Sequence, residues 1–151
     1  MRDKQLSVSA IKNGTVIDHI PAGSLFKVIS ILKLDELETM VTFGNGFESK
    51  QLGKKGIIKL SEVFFDNEEI NKIALVAPTA KLNIIRDYEV VEKMKVEIPD
   101  EVTGIIKCVN PKCITNNEYV ITRFSVISKE MVQLKCHYCE KITRQANLNM
   151  G

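Results

Sequence analysis

From Lys4 to Lys12, apolar and polar residues alternate, with Leu6, Val8 and Ala10 on one side, which is the period of a half-buried strand. Asn13-Gly14 is a turn dipeptide, and Thr15-Val16-Ile17 continues extended into Asp18-His19-Ile20-Pro21. Leu25, Val28, Ile29 and Leu32 then recur at helical spacing, predicting a helix over 22–34 with one apolar stripe. Met40–Phe43 reads as a short strand, broken by Gly44-Asn45-Gly46 and a polar, lysine- and glycine-rich loop to Gly56; Ile57, Ile58 and Leu60 form the next strand. Asp66 and Glu69 have the spacing of a capping pair, ahead of a helical face of Ile70, Ile73, Ala74 and Ala77 that Pro78 stops. Leu82–Ile85 and Tyr88–Ile98 read as two further strands. The order strand, helix, strand, strand, helix, strand is the split βαβ pattern of a ferredoxin-like α/β sandwich, an antiparallel sheet with two helices.

Pro99-Asp100-Glu101 reads as a linker, so the expected domains are 1–99 and 100–151. In the second, Gly104–Lys107, Tyr119–Ile127 and Met131–Lys135 are short strands, Thr143–Gly151 is a polar tail, and no helical period survives. The fold class is therefore α+β: a sandwich followed by a small, zinc-bound antiparallel β domain.

Composition adds little to this. The chain has 151 residues, 44% hydrophobic and 26% charged, which is ordinary for a globular protein. No apolar run approaches the roughly 20 residues needed to cross a bilayer, and the first residues lack an apolar signal core, so the expected address is the cytoplasm with no membrane partner. Formal net charge is +2. Residues 1–99 carry 14 basic and 14 acidic side chains, and no stretch shows the clustered basic excess of a nucleic-acid domain, so no nucleic-acid partner is expected.

The cysteines do change the picture. Cys108, Cys113, Cys136 and Cys139 all lie in the second segment, as a C-x4-C and a C-x2-C. Two turns that each present two thiolates supply the tetrahedron of a closed structural zinc site, one ion per chain, and a segment this short needs such a staple. A thioredoxin-like redox pair is the sharper rival for Cys136-His-Tyr-Cys139, but that motif opens a helix, whereas here it follows an extended run. His137 is expected to stay outside a shell that four thiolates fill.

The first segment contains no phosphate-binding loop, nucleophile elbow or zinc-protease motif, and no nucleophile, base and orienter can be assembled, so no enzyme activity and no catalytic residues are expected. Asp18-His19 at a strand end, Lys55, Lys59, Lys93, Asn83 and Tyr88 read most simply as solvated sheet residues. Taken together, they could also hold a polyphosphate, with Asp18 accepting from a sugar hydroxyl.

Several runs carry a resemblance. Ala10-Ile11-x-x-Gly14-Thr15-Val16-Ile17-Asp18-His19-Ile20-Pro21, Ile58-Lys59, Ala77-Pro78, Asn83, Tyr88-Glu89-Val90-Val91, Lys93, the C-x4-C and Cys-x-Tyr-Cys-Glu-Lys together resemble the regulatory chain family of aspartate carbamoyltransferase over nearly the whole length. The resemblance implies a non-catalytic subunit of pyrimidine biosynthesis that binds ATP, CTP or UTP, pairs as a homodimer and docks on a separate catalytic chain. It places Val8, Ala10, Ile11, Ile85, Tyr88 and Val90 around the base, Asp18 and Lys59 at the ribose, His19, Lys55 and Lys93 at the phosphates, and Asn83 in the pocket wall. It places Asn110, Tyr138, Glu140 and Lys141 against the catalytic chain. Ser9, Lys95 and Lys112 depart from the family pattern, where an acidic residue, an arginine and an asparagine are expected. The alternative reading is a zinc-ribbon adaptor for nucleic acid, which needs a basic or aromatic surface on the zinc module.

Overall fold

The computed structural model describes residues 11–39, 41–49 and 53–149. Two compact units divide the chain, Met1–Glu97 and Ile98–Gly151. The strand expected from Lys4 to Lys12 falls mostly outside the described residues.

In the first unit, β1 (Gly14–Pro21) is the central strand, flanked by β3 (Gly53–Ser61) and β4 (Lys81–Arg86). It holds that place because both neighbours meet its apolar positions: Ile17 opposes Ile58 and Leu82, and all three are fully buried. β2 (Val41–Ser49) pairs outside β3, and β5 (Glu89–Lys95) pairs outside β4, giving the antiparallel order β2-β3-β1-β4-β5. Each helix lies in a crossover that skips one strand, α1 (Leu25–Ile31) between β1 and β2, and α2 (Asn67–Ile73) between β3 and β4. That is the ferredoxin-like arrangement, with β5 added at one edge. Leu25, Val28 and Ile31 of α1 and Ile70 and Ile73 of α2 join Ile17, Ile20, Ile58, Leu60 and Leu82 in the core. Each such side chain contributes about 1.5–3 kcal/mol by leaving water.

In the first unit, four local expectations are corrected. The first helix is shorter than 22–34: Ala22–Ser24 form a 3-10 turn, and Lys33, at φ 55°, ends the helical run in the left-handed region. The second helix stops at Ile73, and hydrogen-bonded turns carry the buried segment to Ala77. The polar loop expected up to Gly56 is instead the β2–β3 hairpin, whose ladder is made by backbone groups that glycine and lysine supply as well as any residue. The strand expected over Tyr88–Ile98 spans only Glu89–Lys95.

The second unit is a four-stranded antiparallel meander, β6 (Glu101–Thr103), β7 (Arg123–Ser128), β8 (Gln133–Cys136) and β9 (Ile142–Arg144). Its core is small: Val102, Ile106, Phe124, Val132 and Leu134. Gly104–Lys107 is not a strand. Gly104 turns the chain at φ 79°, and Ile106 drops into the core. The strand expected from Tyr119 begins only at Arg123. The expected polar tail is tied in by β9, by the buried Leu148, and by a 2.7 Å bond from the Lys107 N–H to the Asn149 carbonyl.

Candidate functional site

Among the described residues, one group of thiols converges. The sulfurs of Cys108, Cys113, Cys136 and Cys139 lie within 4.8 Å of one another, and the first three residues are buried. Cys108 and Cys139 sulfurs stand 3.6 Å apart, and those of Cys113 and Cys136 stand 3.7 Å apart. A sulfur–sulfur bond needs about 2.05 Å, so these are not disulfides. A tetrahedron of sulfurs about 2.3 Å from one metal ion has edges of roughly 3.8 Å, which the two spacings match. The donor set therefore fits a metal ion of thiophilic character.

Local sequence explains why the turns converge. The Asn110 side chain accepts from the Lys112 N–H at 3.1 Å, and the Cys113 N–H returns to the Asn110 carbonyl at 3.0 Å. Asn116 donates to the carbonyls of Cys108 and Asn110, and Asn117 to those of Pro111 and Cys113, so two side-chain amides stitch the first loop closed. The second pair sits at the end of β8 and in the following turn, closed by the Glu140 N–H on the Cys136 carbonyl, with Glu140 at φ 64°. No helix starts there, which removes the thioredoxin-like arrangement. His137 is exposed and outside the thiol group. Asn116 and Asn117 were missed in the sequence because amides outside the cysteine motifs carry no spacing signal.

Burial pushes the Cys108 thiol up to about 12 and raises Cys136 as well. Burial also opposes ionisation of Cys139, but the Lys141 N–H, the Asn110 side chain and the neighbouring thiols outweigh it and bring it down to about 7. Asn110 is thus part of the loop scaffold. Tyr138, edge-on to His137, and Glu140 and Lys141 are exposed around the cluster.

The first unit gathers charge that the linear sequence scatters. Residues paired across neighbouring strands share a sheet face. Opposite the helices, Thr42, Lys59, Val16, Asn83 and Lys93 form one row across all five strands. One step along the strands, Asp18, Lys81 and Lys95 form a second row, and one step the other way Ser61, Gly14, Ile85 and Val90 form a third. Two bulges set this face. In β1, Ile17 pairs Ile58 but Ile20 pairs Gly56, so Asp18 and His19 oppose the single residue Ile57, and His19 takes φ 59°. In β5, Val91 is the extra residue, which lets Val90 and Lys93 point the same way despite their odd spacing.

Gly14 admits no side chain: a Cβ there would collide with the Leu60 carbonyl oxygen. The Asp18 carboxylate accepts from the His19 N–H at 2.6 Å and from Lys55 Nζ at 2.9 Å. His19 Nδ1 is buried without a hydrogen-bond partner among the described residues, 3.6 Å from Asp18 Oδ2. Burial lowers Lys59 below the ordinary lysine range. A cleft of about 440 Å³ opens over Asp18, His19, Asn83 and Lys93, with Lys81, Met94 and Lys95 completing its wall.

Other candidates lie beyond the cleft, toward the apolar end of the face. Ile85 is buried and Val90 exposed. Tyr88, 65% exposed, sits with Asp87 in a two-residue hairpin turn with both φ angles positive, held by Asn13 and by the Lys12 carbonyl. Ile11 is half-buried just ahead of Lys12. Val8, Ala10 and Ser9 lie outside the described residues. The face thus runs from apolar at Ile85 and Val90 to basic at Lys81 and Lys95. Lys81 carried no sequence signal, since only the register brings it there.

Two family models match, one on each unit: the allosteric domain of the aspartate carbamoyltransferase regulatory chain over residues 6–97, and the metal binding domain of the same chain over residues 100–149. Similar proteins include an aspartate carbamoyltransferase regulatory chain from Phocaeicola vulgatus, 62% identical over 90% of this chain and 88% of that protein. Others come from Bacteroides fragilis (57% identical, covering 96% and 95%) and Pyrococcus furiosus (57% identical, covering 95% and 96%). No helix among the described residues is long and apolar enough to cross a membrane.

Proposed function

From the premise that this chain belongs to the family of aspartate carbamoyltransferase regulatory chains, as a non-catalytic subunit, we propose that its first unit binds ATP, CTP and UTP as effectors and its second unit carries zinc and docks on the catalytic chain. The observation that carries the nucleotide reading is the gradient along the open sheet face, apolar at Ile85 and Val90, polar through Lys59, Asn83 and Lys93, and basic at Lys81 and Lys95. A nucleotide has the same order of chemistry, from base through ribose to phosphates. The face extends four residues along β4 from Ile85 to Lys81, about 13 Å, which is long enough to take all three parts.

On this reading Ile11, Ile85, Tyr88 and Val90 surround the base, joined by Val8 and Ala10. Asp18 and Lys59 meet the ribose, Asn83 lines the wall, and His19, Lys55 and Lys93 meet the phosphates. The unpartnered His19 Nδ1 and the lowered Lys59 both gain when an anionic ligand arrives. In the second unit, zinc fits best among thiophilic ions for a closed four-thiolate shell, and such a site holds structure without catalysing. Asn110, Tyr138, Glu140 and Lys141 form the rim offered to the catalytic chain, and two copies of this chain pair as a homodimer in the cytoplasm. An effector then acts by binding unequally to the two quaternary states of the assembly.

Calorimetric titration of the full chain with CTP and ATP tests the site. His19→Ala should weaken binding by roughly tenfold, the worth of one charge-assisted contact, with the thermal midpoint of the free protein little changed. Equal affinity in the two proteins would remove His19 from the site.

A further inference from the structure

We propose that Cys139 is a redox-sensitive modification site: a hydroperoxide oxidises it, Cys108 closes a disulfide onto it, and the metal ion is released. This rests on the metal reading of the second unit and gives that site a chemical point of entry. The four thiols are not equivalent. Cys108, Cys113 and Cys136 are 3%, 1% and 0% exposed, whereas Cys139 is half-buried. The Thr115 hydroxyl also donates to the Cys113 sulfur at 3.2 Å, occupying a lone pair that an oxidant would need. Cys136 is fixed in β8 opposite Phe124, and its sulfur lies against that of Cys113 at 3.7 Å. Thiol oxidation follows thiolate character and access, and a sensor cysteine stands beside a second thiol that resolves it. Cys139 alone among the four has the access, and the Cys108 sulfur stands 3.6 Å from its own.

The reaction balances in two steps. The Cys139 thiolate attacks one oxygen of hydrogen peroxide, the O–O bond breaks, and hydroxide leaves, with a sulfenic acid formed on the sulfur. The Cys108 thiolate then attacks the Cys139 sulfur, the S–O bond breaks, and a second hydroxide leaves as the S–S bond forms. The two sulfurs together lose two electrons, and the peroxide gains them. Closing from 3.6 Å to the roughly 2.05 Å of a disulfide removes both sulfurs as anionic donors. The remaining pair, Cys113 and Cys136, cannot close a four-coordinate shell. Cys108 and Cys139 belong to different loops, so the new bond keeps those loops side by side for reduction and reloading. Tyr138 and Glu140 flank Cys139, are exposed, and belong to the rim assigned above to the catalytic chain. On that reading docking covers the one accessible sulfur, so oxidation strikes the unassembled chain first.

The experiment treats the metal-loaded full chain with hydrogen peroxide, reads released metal with a chromogenic chelator, and maps disulfides by peptide mass. The first disulfide should be Cys108–Cys139, formed in step with release of the ion, and dithiothreitol with added metal should restore the site. Cys139→His keeps a fourth ligand without the accessible sulfur and should release metal roughly tenfold more slowly. Should that variant fail to load, the disulfide map of the original chain decides alone.

A first disulfide at Cys113–Cys136 or Cys136–Cys139 overturns the proposal, and so does a Cys108–Cys139 bond in a chain that keeps its metal. Equal release from a loaded Cys139→His overturns it too. A chain that takes up no metal overturns the metal reading and this proposal together. The same treatment of the chain bound to its catalytic chain tests the rim, and release there should slow by roughly tenfold. Equal release from free and bound chain removes Tyr138 and Glu140 from the rim, while the oxidation site stands.

Discussion

A thiol must shed its proton before it binds a metal, and Cys108, Cys136 and Cys139 start from different positions. Cys108 is pushed up to about 12 and Cys136 is also raised, so both are protonated in the metal-free protein at neutral pH, whereas Cys139, at about 7, is already part-ionised. Metal binding therefore expels at least two protons, and protons compete with the ion. The sign follows: apparent metal affinity falls as pH falls, by about 100-fold per unit for two protons released. Chelator competition across pH 6 to 8 measures the slope, and a flat profile would remove the four-thiolate picture. Asn110, Asn116 and Asn117 bear on the same chemistry, since they hold the loop that presents Cys108 and Cys113.

Among the elements, α2 shows how a short helix is specified. Both halves of its capping box are made, with the Glu69 N–H on the Asp66 side chain at 2.8 Å and the Asp66 N–H on the Glu69 side chain at 3.3 Å. Asp66→Ala should cost about 1 kcal/mol of stability, read as a lower denaturant midpoint, and leave nucleotide affinity unchanged because α2 lies on the other face of the sheet. This helix was legible because the cap and the stripe of Ile70 and Ile73 are local signals. The β2–β3 hairpin was not: its sequence is polar and glycine-rich, and only pairing along the whole length of both strands makes it a sheet. The cysteine pairs were equally legible, since ligand spacing within a turn is local. The open face was not. Its layout depends on the bulges at Asp18-His19 and at Val91, and each changes by one residue which side chains share a side. Lys81 and Lys95 look like any surface lysines until the register sets them opposite each other.

For the whole molecule, the division of labour is chemical. The first unit buries its own apolar core, while the second has a small one and a thiol cluster. The metal should therefore hold the second unit together, and through it the attachment to the catalytic chain. Immobilised, metal-loaded chain should retain catalytic subunits from a lysate of its source, assayed as carbamoyl transfer to aspartate, and release them when the metal is chelated. A folded, metal-loaded chain that retains no activity contradicts the docking proposal.

The position of β1 has a consequence in time. It is the central strand, yet both strands that flank it, β3 and β4, come later in the chain. About 40 residues separate Pro21 from Ser61, which is roughly 2–8 s of synthesis on a ribosome. Through that interval Val16, Ile17 and Ile20 form a nascent strand without its eventual neighbours. The charged Asp18-His19 pair interrupts it midway and Pro21 ends it, both features that discourage pairing with another chain. The residues that later shape the cleft thus also guard the strand before the sheet exists.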